Sequence, residues 1–269
     1  MTQASQPENQ PKDAIFRNFT AQQASNYAEG RIGYSEKLID FILKEHNSTG
    51  GSNGTVLDVG CGPGPATRLL APHFDIVYGA DPGESMIQTA KELNGTSRSG
   101  DPIMYEVTGA ESIDKIDGLE QSSVDLITAA TAVCICEDVY GSSLTSIQAH
   151  WFDMLQFWKA AAKLLKPGGT VAIWTVFRNS HQSGDKLSAI FDDFSENVLA
   201  PYTSDGTKLT HDGYINLPMP WDDPDIAALY DNKSSARHEL KAKDGYLPKT
   251  YTRFTEVGGI PLDKQLMMF

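Results

Sequence analysis

An apolar run leads into three alternating glycines in the stretch Val56-Leu57-Asp58-Val59-Gly60-Cys61-Gly62-Pro63-Gly64. A short apolar run before a glycine cluster predicts a buried strand that turns sharply into a helix. Glycines at alternate positions let the backbone of such a turn come close to a ligand. We therefore predict a strand–turn–helix unit that holds a small molecule at the carboxyl end of the strand.

The spacing of the glycines separates two kinds of nucleotide-binding turn. Dinucleotide sites use the pattern G-x-G-x-x-G around a pyrophosphate. Here Asp58 precedes the first glycine by two residues, and Pro65 takes the place of the last glycine of that pattern. A carboxylate at the strand end favours a ligand with a positive charge. This glycine spacing and Asp58 disfavour a nicotinamide dehydrogenase. The stretch could also be a glycine-rich turn of another kind of α/β enzyme, and this alternative stays open.

A second apolar run, Ile76-Val77-Tyr78-Gly79-Ala80-Asp81, also ends in a carboxylate. Asp81 lies 21 residues after Gly60, which is the length of one helix and one strand in a βαβ unit. A carboxylate at this position can accept hydrogen bonds from the two vicinal hydroxyls of a ribose. In the alternative interpretation, Asp81 is a solvated strand end.

Strand-like and helix-like segments alternate along most of the chain. The predicted strands are 55–60, 75–80, 103–107, 125–129, 170–176 and 236–240. The predicted helices are 20–29, 35–43, 65–72, 84–93 and 151–165, with Ser35 as an N-cap and Pro167-Gly168-Gly169 after the last helix. This alternation predicts an α/β fold with a Rossmann-like, doubly wound and mostly parallel sheet.

Several sequence pieces resemble the class I S-adenosylmethionine-dependent methyltransferases. They are VLDVGCGPGPAT, ADPGESMI, VDLITAA, LKPGGTVAIW, the pair Ala110-Glu111 and the early residues Tyr27, Arg31 and Tyr34. The piece AHWFD at 149–153 makes the sequence most similar to the trans-aconitate methyltransferase-like group, which has many fungal members. The resemblance covers roughly residues 16–245. It implies transfer of a methyl group from S-adenosylmethionine to a small molecule, such as a peptide natural product or another secondary metabolite.

The resemblance also implies which residues bind the methyl donor. They are Asp58, Gly60, Gly62, Gly64, Asp81, Met86, Ala110, Glu111 and Ala129. In this family Met86 would lie over the adenine, with Ala110 and Glu111 beside it. Tyr27 and Arg31 would come from an N-terminal cap over the methionine end of the donor or over the acceptor.

No residue of the sequence is assigned as the catalytic base, and the candidates are His150, Tyr27 and Arg31. By the resemblance, His150 and Trp151 would lie near the mouth of the acceptor site. Each candidate also has a structural alternative. His150 would be a hydrogen-bonded histidine at a helix start, Tyr27 a residue in the core of the cap, and Arg31 the partner of a surface acid. A carboxylate acceptor needs no base at neutral pH and an amine needs only deprotonation. We therefore expect a carboxylate or an amine acceptor.

Composition limits the partners of the chain. Its 269 residues carry a net charge of −13 and a sequence pI of about 4.8, so we expect no nucleic-acid substrate. The sequence has no apolar run of about 18 residues that could span a membrane. Three cysteines form neither a disulfide framework nor a zinc site, so we expect a cytoplasmic protein without a metal. The oligomeric state stays open between monomer and dimer.

We interpret residues 1–13 as a disordered tail and 14–269 as one methyltransferase domain. Within that domain, 14–46 form a helical cap, and 201–224 form either a pocket or lid segment or a packed surface loop. An insertion at 133–148 separates the piece VDLITAA from AHWFD by sixteen residues. A native insertion there would alter the choice of acceptor. The alternative is a retained intron, because Val133-Cys134 and Gln148 are compatible with splice-site codons.

The carboxyl end of the chain is the second departure from the family. After the sixth strand, we expect the chain to stop inside the last helix and to lack the antiparallel seventh strand. An unfilled sheet edge would lower stability or lead to dimerisation. Together, the insertion and the missing strand suggest an alternative function class, a catalytically impaired or inactive methyltransferase-like protein.

Overall fold

The computed structural model describes residues 19–30, 33–130, 152–178, 193–199, 214, 216–230, 235, 238–241 and 264–268. Before the crossover to the second half of the sheet, the elements are α1 (Ala21–Gly30), α2 (Glu36–Ser48), β1 (Thr55–Val59), α3 (Pro65–Leu70), β2 (Ile76–Asp81), α4 (Glu84–Leu93) and β3 (Met104–Val107). After it come β4 (Val124–Ala130), α5 (Met154–Leu164), β5 (Leu165–Arg178), α6 (Pro224–Ala227), β6 (His238–Lys241) and β7 (Lys264–Met268). Short 3₁₀ helices cover Ala71–His73, Ala110–Lys115 and Pro220–Asp222, and a π-helix covers Phe194–Leu199.

One sheet of seven strands, in the order β3-β2-β1-β4-β5-β7-β6, organises the described residues. The first five strands in this order, β3, β2, β1, β4 and β5, are all parallel, which confirms the predicted Rossmann-like α/β fold. The strand order reverses between β1 and β4. In sheets of this kind, ligands bind outside the carboxyl ends of the strands at the reversal point. The glycine loop, residues 60–64, follows β1 at this point.

The expectation that the antiparallel seventh strand is missing is wrong. Strand β7 lies between β5 and β6 and is antiparallel to both, with Trp174 opposite Met268 and His238 also opposite Met268. The helix prediction came from the resemblance, by which this segment would lie inside the last helix of the family, and leucine and methionine also favour helices locally. Backbone partners on both sides decide the strand instead, because strand preference depends on context. The sheet therefore has no gap between β5 and β6, and the dimerisation expected through an open edge is no longer predicted. The helix expected before this strand falls outside the described residues.

Each face of the sheet is covered by its own apolar cluster. Alternate residues of β1 point to opposite faces, as in any strand. Val56 packs with Leu38 and Leu70, which lie on α2 and α3. Leu57 packs on the other face with residues such as Ile113 and Phe157, from the 3₁₀ helix at Ala110–Lys115 and from α5. The two layers hold β1 in the middle of the fold and fix the turn that follows it.

Element bounds follow the predictions closely around the glycine loop and less closely later. Helix α4 spans the predicted 84–93, and Ser35 caps α2 by accepting a hydrogen bond from the Lys37 amide. Helix α5 begins at Met154 after an Asp153 N-cap, and the predicted start at Trp151 falls outside the described residues. Pro167-Gly168-Gly169 was predicted to separate helix from strand. It lies instead inside β5, where the register with β4 shifts.

Two further segments bear on the predicted domain layout. The described part of 201–224 packs on α5, because the Trp158 indole donates to the Pro218 carbonyl at 2.9 Å. This contact fits the packed-loop interpretation for these residues, and the lid role of the segment stays a prediction. The insertion at 133–148 falls outside the described residues. Of the helices that the structure describes, none has the length and apolar character needed to cross a membrane.

Candidate active site

The glycine loop has a backbone shape that other residues adopt only with strain. Gly60, Gly62 and Gly64 have φ angles of 66°, 54° and 80°. These values lie in the left-handed region, where glycine has no steric cost. Gly64 is also the N-cap of α3, and Pro65 occupies its first turn. A Cβ added to Gly62 would meet no atom of the described residues within 4 Å. This side of the loop therefore has room for a ligand.

The Asp81 carboxylate is held in a fixed orientation beside the loop. Its Oδ2 accepts a hydrogen bond from the Gly62 amide at 2.9 Å, and its Oδ1 accepts one from the Gly83 amide at 2.8 Å. Asp81 is 8% exposed at the carboxyl end of β2. Two backbone amides thus orient a carboxylate next to the turn, and each carboxylate oxygen can accept more than one hydrogen bond.

Asp58 occupies a different environment from the one its sequence position suggested. The residue is fully buried beneath the loop. Its carboxylate accepts hydrogen bonds from the Thr67 hydroxyl at 2.6 Å and from the Thr128 hydroxyl at 2.7 Å. These partners lie on α3 and β4, so Asp58 joins three elements around the turn. Direct contact between Asp58 and a ligand stays a prediction.

Thr67 and Thr128 are not among the site residues predicted from the sequence. Thr128 is a polar residue inside the apolar strand Val124–Ala130, and Thr67 lies in the first turn of a short helix. Both are fully buried. A hydroxyl residue at an otherwise apolar position of a strand that ends at the predicted site is a signal that could have identified Thr128, whereas Thr67 on its helix has no such signal.

Met86, Ala110 and Ala129 are buried near the carboxyl end of the sheet, with exposures of 1%, 2% and 4%. Ala110 and Ala129 belong to the same apolar cluster. Glu111 follows Ala110, and its Oε1 accepts a hydrogen bond from the Asp153 amide at 2.7 Å. Glu111 therefore ties the 3₁₀ helix to the start of α5. The expected contact of Glu111 with adenine stays a prediction.

The candidate acceptor-side residues are only partly described. Arg31, His150 and Trp151 fall outside the described residues. Tyr27 lies on α1, which packs against α4, and its ring meets the Phe19 ring edge-on at 6.4 Å. This contact supports a role of Tyr27 inside the cap, and a catalytic role stays a prediction.

Tyr34 marks the end of the central strand β4. Its hydroxyl donates to the Ala130 carbonyl at 3.2 Å, and its ring meets the Trp174 ring edge-on at 5.6 Å. Ala130 and Trp174 are direct neighbours across β4 and β5. In the sequence, Tyr34 was notable only as part of the family resemblance. Its contact with the end of β4 is seen only in the structure.

Two buried side chains are packed at the glycine loop, Tyr105 beside it and Cys61 within it. The Tyr105 ring lies over Gly79, where a Cβ would come within 2.6 Å of the ring. The Tyr105 hydroxyl lies beside Gly64 and Arg68 without a well-formed hydrogen bond among the described residues, and burial raises the pKa of this phenol. Burial also raises the pKa of the Cys61 thiol, as do the carboxylates of Asp81 and Asp58. The thiol is therefore protonated, which fits a packed residue and not a nucleophile.

The described residues contain no group of three or more histidine, cysteine, aspartate or glutamate side chains that could hold a metal ion. The polar groups around the loop are instead carboxylates, hydroxyls, backbone amides and the Arg68 guanidinium, which donates to the Pro63 carbonyl at 2.7 Å. Such a set suits an organic ligand with hydroxyl groups and a positive charge.

A family model described as a methyltransferase domain matches residues 57–173. The chain is also 26% identical, over 195 residues, to a Dictyostelium discoideum protein named as a methyltransferase, covering 72% of this chain and 63% of that protein. It is 27% identical over 220 residues to methyltransferase AacuQ of Aspergillus aculeatus, covering 82% of this chain and 59% of that protein. The chain thus spans less than two thirds of the length of these relatives.

The fold has its own match among solved structures. A structure from Anaeromyxobacter dehalogenans named as a type II methyltransferase aligns with a TM-score of 0.51 and 22% sequence identity, covering 88% of this chain and 94% of that one. At this identity the likeness concerns the fold. The family model thus matches the part of the chain that contains the glycine loop and the oriented Asp81 carboxylate.

Proposed function

We propose that the chain transfers a methyl group from S-adenosylmethionine to a small molecule. The observation that carries the proposal is the pairing of the glycine loop with Asp81. The loop is open on the Gly62 side, and the Gly62 amide itself orients the Asp81 carboxylate. A nucleoside lying along the loop would meet a fixed pair of acceptor oxygens at the position of its ribose hydroxyls.

The residues around the loop fit the rest of the donor. Met86 lies in the first turn of α4, which begins at Glu84 after Asp81-Pro82-Gly83, and its buried thioether offers an apolar, adaptable surface for an adenine. Ala110, at the start of a 3₁₀ helix, and Ala129, near the end of β4, have small side chains that we place beside the donor. Asp58 places a negative charge beneath the turn, and a negative charge there favours a sulfonium or an ammonium group nearby. The donor-binding assignments of these residues are part of the proposal.

When bound, S-adenosylmethionine supplies an electrophilic methyl group next to a positively charged sulfur. The chain has to hold the acceptor atom about 3–3.5 Å from that methyl group and in line with the sulfur. The carboxyl end of β4, where Tyr34 contacts Ala130, lies next to the donor loop and is the natural place for the acceptor. The chain also has to keep water out, and the cap before β1 and the segment after β5 could do so.

For the acceptor we propose a carboxylate or an amine of a secondary metabolite such as a peptide natural product, as in the trans-aconitate methyltransferase-like group. The support is the resemblance together with the match to an Aspergillus methyltransferase. His150, Tyr27 and Arg31 remain the candidate catalytic residues. A cytoplasmic location and the absence of nucleic-acid and membrane partners remain predictions.

The alternative of an impaired or inactive protein rested on two features, the insertion and the missing strand. Strand β7 fills the position that was expected to be empty. The insertion at 133–148 falls outside the described residues, so no observation favours the alternative over an active enzyme. Sequencing the mature transcript across this region tests the intron hypothesis, because a message that contains these codons would refute it.

Methyl transfer itself tests the proposal. Purified protein is incubated with methyl-labelled S-adenosylmethionine and with metabolite extracts from cells that carry or lack the gene. We expect one or a few labelled small molecules that depend on the protein and that correspond to metabolites lost on deletion. Labelling of nucleic acid alone would refute the small-molecule proposal, and so would binding of the donor without transfer to any extract component.

A further inference from the structure

Four strands contribute directly opposed residues to one row across the sheet. Asp58 lies opposite Gly79 on β2 and opposite Thr128 on β4, and Gly79 lies opposite Tyr105 on β3. The row faces α3, from which Thr67 reaches Asp58. The Asp58 carboxylate is therefore the meeting point of β1, β4 and α3, directly beneath the glycine loop.

The bonds at this meeting point have a fixed direction. A carboxylate only accepts hydrogen bonds, so both threonine hydroxyls donate to it and each spends its single proton there. Asp58, Thr67 and Thr128 are all fully buried, and a buried carboxylate is costly unless hydrogen bonds compensate it. Threonine side chains are also stiff because they are branched at Cβ. The three groups therefore form a rigid bridge.

The bridge encloses the glycine loop. Asp58 lies two residues before Gly60, and Thr67 lies three residues after Gly64. Their hydrogen bond closes the chain into a ring that contains the whole turn. The second bond, to Thr128, ties this ring to β4 two residues before that strand ends at Ala130. The donor loop and the strand that leads to the acceptor side thus share one anchor.

We propose that Thr67 and Thr128 are positioning residues of the methyl-donor site. They act through Asp58, which holds the glycine loop in its binding shape and in register with β4. This inference rests on the proposed function, because it concerns how the donor is bound. It assigns to Asp58 a role as an organiser of the loop, separate from any contact it makes with the donor.

Single substitutions that remove each hydroxyl test the proposal. Thr128→Val and Thr67→Val keep the branched shape and remove the proton donor, whereas Thr128→Ser and Thr67→Ser keep the hydroxyl. Binding of S-adenosylhomocysteine is measured by calorimetry on the full chain. We expect each valine variant to raise the Kd by about tenfold, which corresponds to about 1.4 kcal/mol. The serine variants should bind within about twofold of wild type, about 0.4 kcal/mol.

The double variant gives a second readout. Because both hydroxyls donate to one carboxylate, the effects of the two substitutions on the Kd should not be independent. Thr67→Val combined with Thr128→Val should therefore raise the Kd by clearly less than the product of the two single effects. Equal, independent effects would contradict a shared bridge.

Thr175 provides a matched control. It is a fully buried threonine of β5 whose hydroxyl has no hydrogen-bond partner among the described residues. Thr175→Val should leave the Kd for S-adenosylhomocysteine unchanged. Thermal unfolding of every variant is recorded, so that a loss of folding is distinguished from a loss of binding.

Two further outcomes would overturn the inference. Folded valine variants with a wild-type Kd would show that the bridge stabilises the fold only, even if their Tm falls. Serine variants as impaired as the valine variants would rule out the hydroxyl as the cause. If Thr128→Val does not fold, the Kd values of Thr67→Val and Thr67→Ser test the inference by the same two criteria. A wild-type chain that does not bind S-adenosylhomocysteine at millimolar concentration would refute the proposed function itself, which is a distinguishable result.

Discussion

The Gly62 amide donates a hydrogen bond to the Asp81 carboxylate over 2.9 Å, joining the turn after β1 to the end of β2. The two residues are 19 positions apart in the sequence and come from different strand–turn units. The hydrogen bond makes the turn and the carboxylate one preorganised unit. A preorganised site binds more tightly because less freedom is lost when the ligand binds.

Gly62→Ala should reduce donor binding as well as stability. The φ of 54° at Gly62 is strained for alanine, and the strain costs about 1–2 kcal/mol of folding free energy. The added methyl group would also project into the open side of the loop, so we expect the Kd for S-adenosylhomocysteine to rise by at least about tenfold. Gly100 is the control, because its φ is 87° and its added Cβ meets no described atom within 4 Å. Gly100→Ala should lose similar stability and keep the wild-type Kd. Equal Kd values for both variants would contradict a ligand at Gly62.

Gly79→Ala should destabilise the fold through the Tyr105 ring. The new Cβ would lie 2.6 Å and 2.7 Å from two ring carbons, so the ring has to move within a packed core. Overpacking of this kind costs about 1–3 kcal/mol, measured as the free energy of unfolding in urea. Tyr105→Leu in the same chain should recover part of the loss. Tyr105→Phe is the control, and it should leave stability nearly unchanged because it removes a buried hydroxyl without a well-formed hydrogen bond.

Asp125, at the amino end of the sheet, should make the fold sensitive to acid. Burial by itself raises the pKa of its carboxyl. Hydrogen bonds from Lys166, the Ser52 hydroxyl and the Thr55 amide outweigh burial, so the net pKa is lowered. A carboxyl whose pKa is lower in the folded state stabilises the fold above its unfolded pKa of about 3.9. That stability is lost as the pH falls through the lower folded pKa.

The measurement is the free energy of unfolding as the pH falls from about 5 through the unfolded pKa of about 3.9 and towards the lower folded pKa. Wild type should lose stability in this window more steeply than Asp125→Asn, which is less stable at neutral pH. Asp75→Asn is the control. The pKa of Asp75 is also lowered, mainly by its hydrogen bond with Arg98, but this ion pair is about half exposed and is screened by salt. Identical acid slopes for wild type and Asp125→Asn would contradict the prediction.

Sequence patterns alone predict the first half of the fold well. The run Val56–Gly64 was sufficient for the strand, the turn and the following helix, because local propensity, glycine geometry and burial agree there. Helix α4 was predicted with its observed bounds, 84–93. The offset between Gly60 and Asp81 correctly placed a carboxylate at the end of β2 beside the loop.

Tertiary partners explain what the sequence could not predict. Strand β7 consists of residues with helical preference, and its backbone partners on β5 and β6 determine its conformation. The partners of Asp58 are 9 and 70 residues away, and the partner of Glu111 is 42 residues away. Hydrogen bonds across such separations leave no periodic signal in the sequence. Roles inferred for single residues, such as Asp58 and Glu111, were therefore less secure than the motif itself.

The oriented Asp81 carboxylate is proposed to bind the methyl donor, and calorimetry with S-adenosylhomocysteine tests this role directly. Wild type should bind with micromolar affinity. Asp81→Ala should lose roughly 1–3 kcal/mol of binding free energy, the scale of lost hydrogen bonds to a charged group. Asp75→Ala removes an exposed acid away from the loop and should bind as wild type does. If Asp81→Ala binds S-adenosylhomocysteine with the wild-type Kd while remaining folded, the donor site lies elsewhere and the account is wrong.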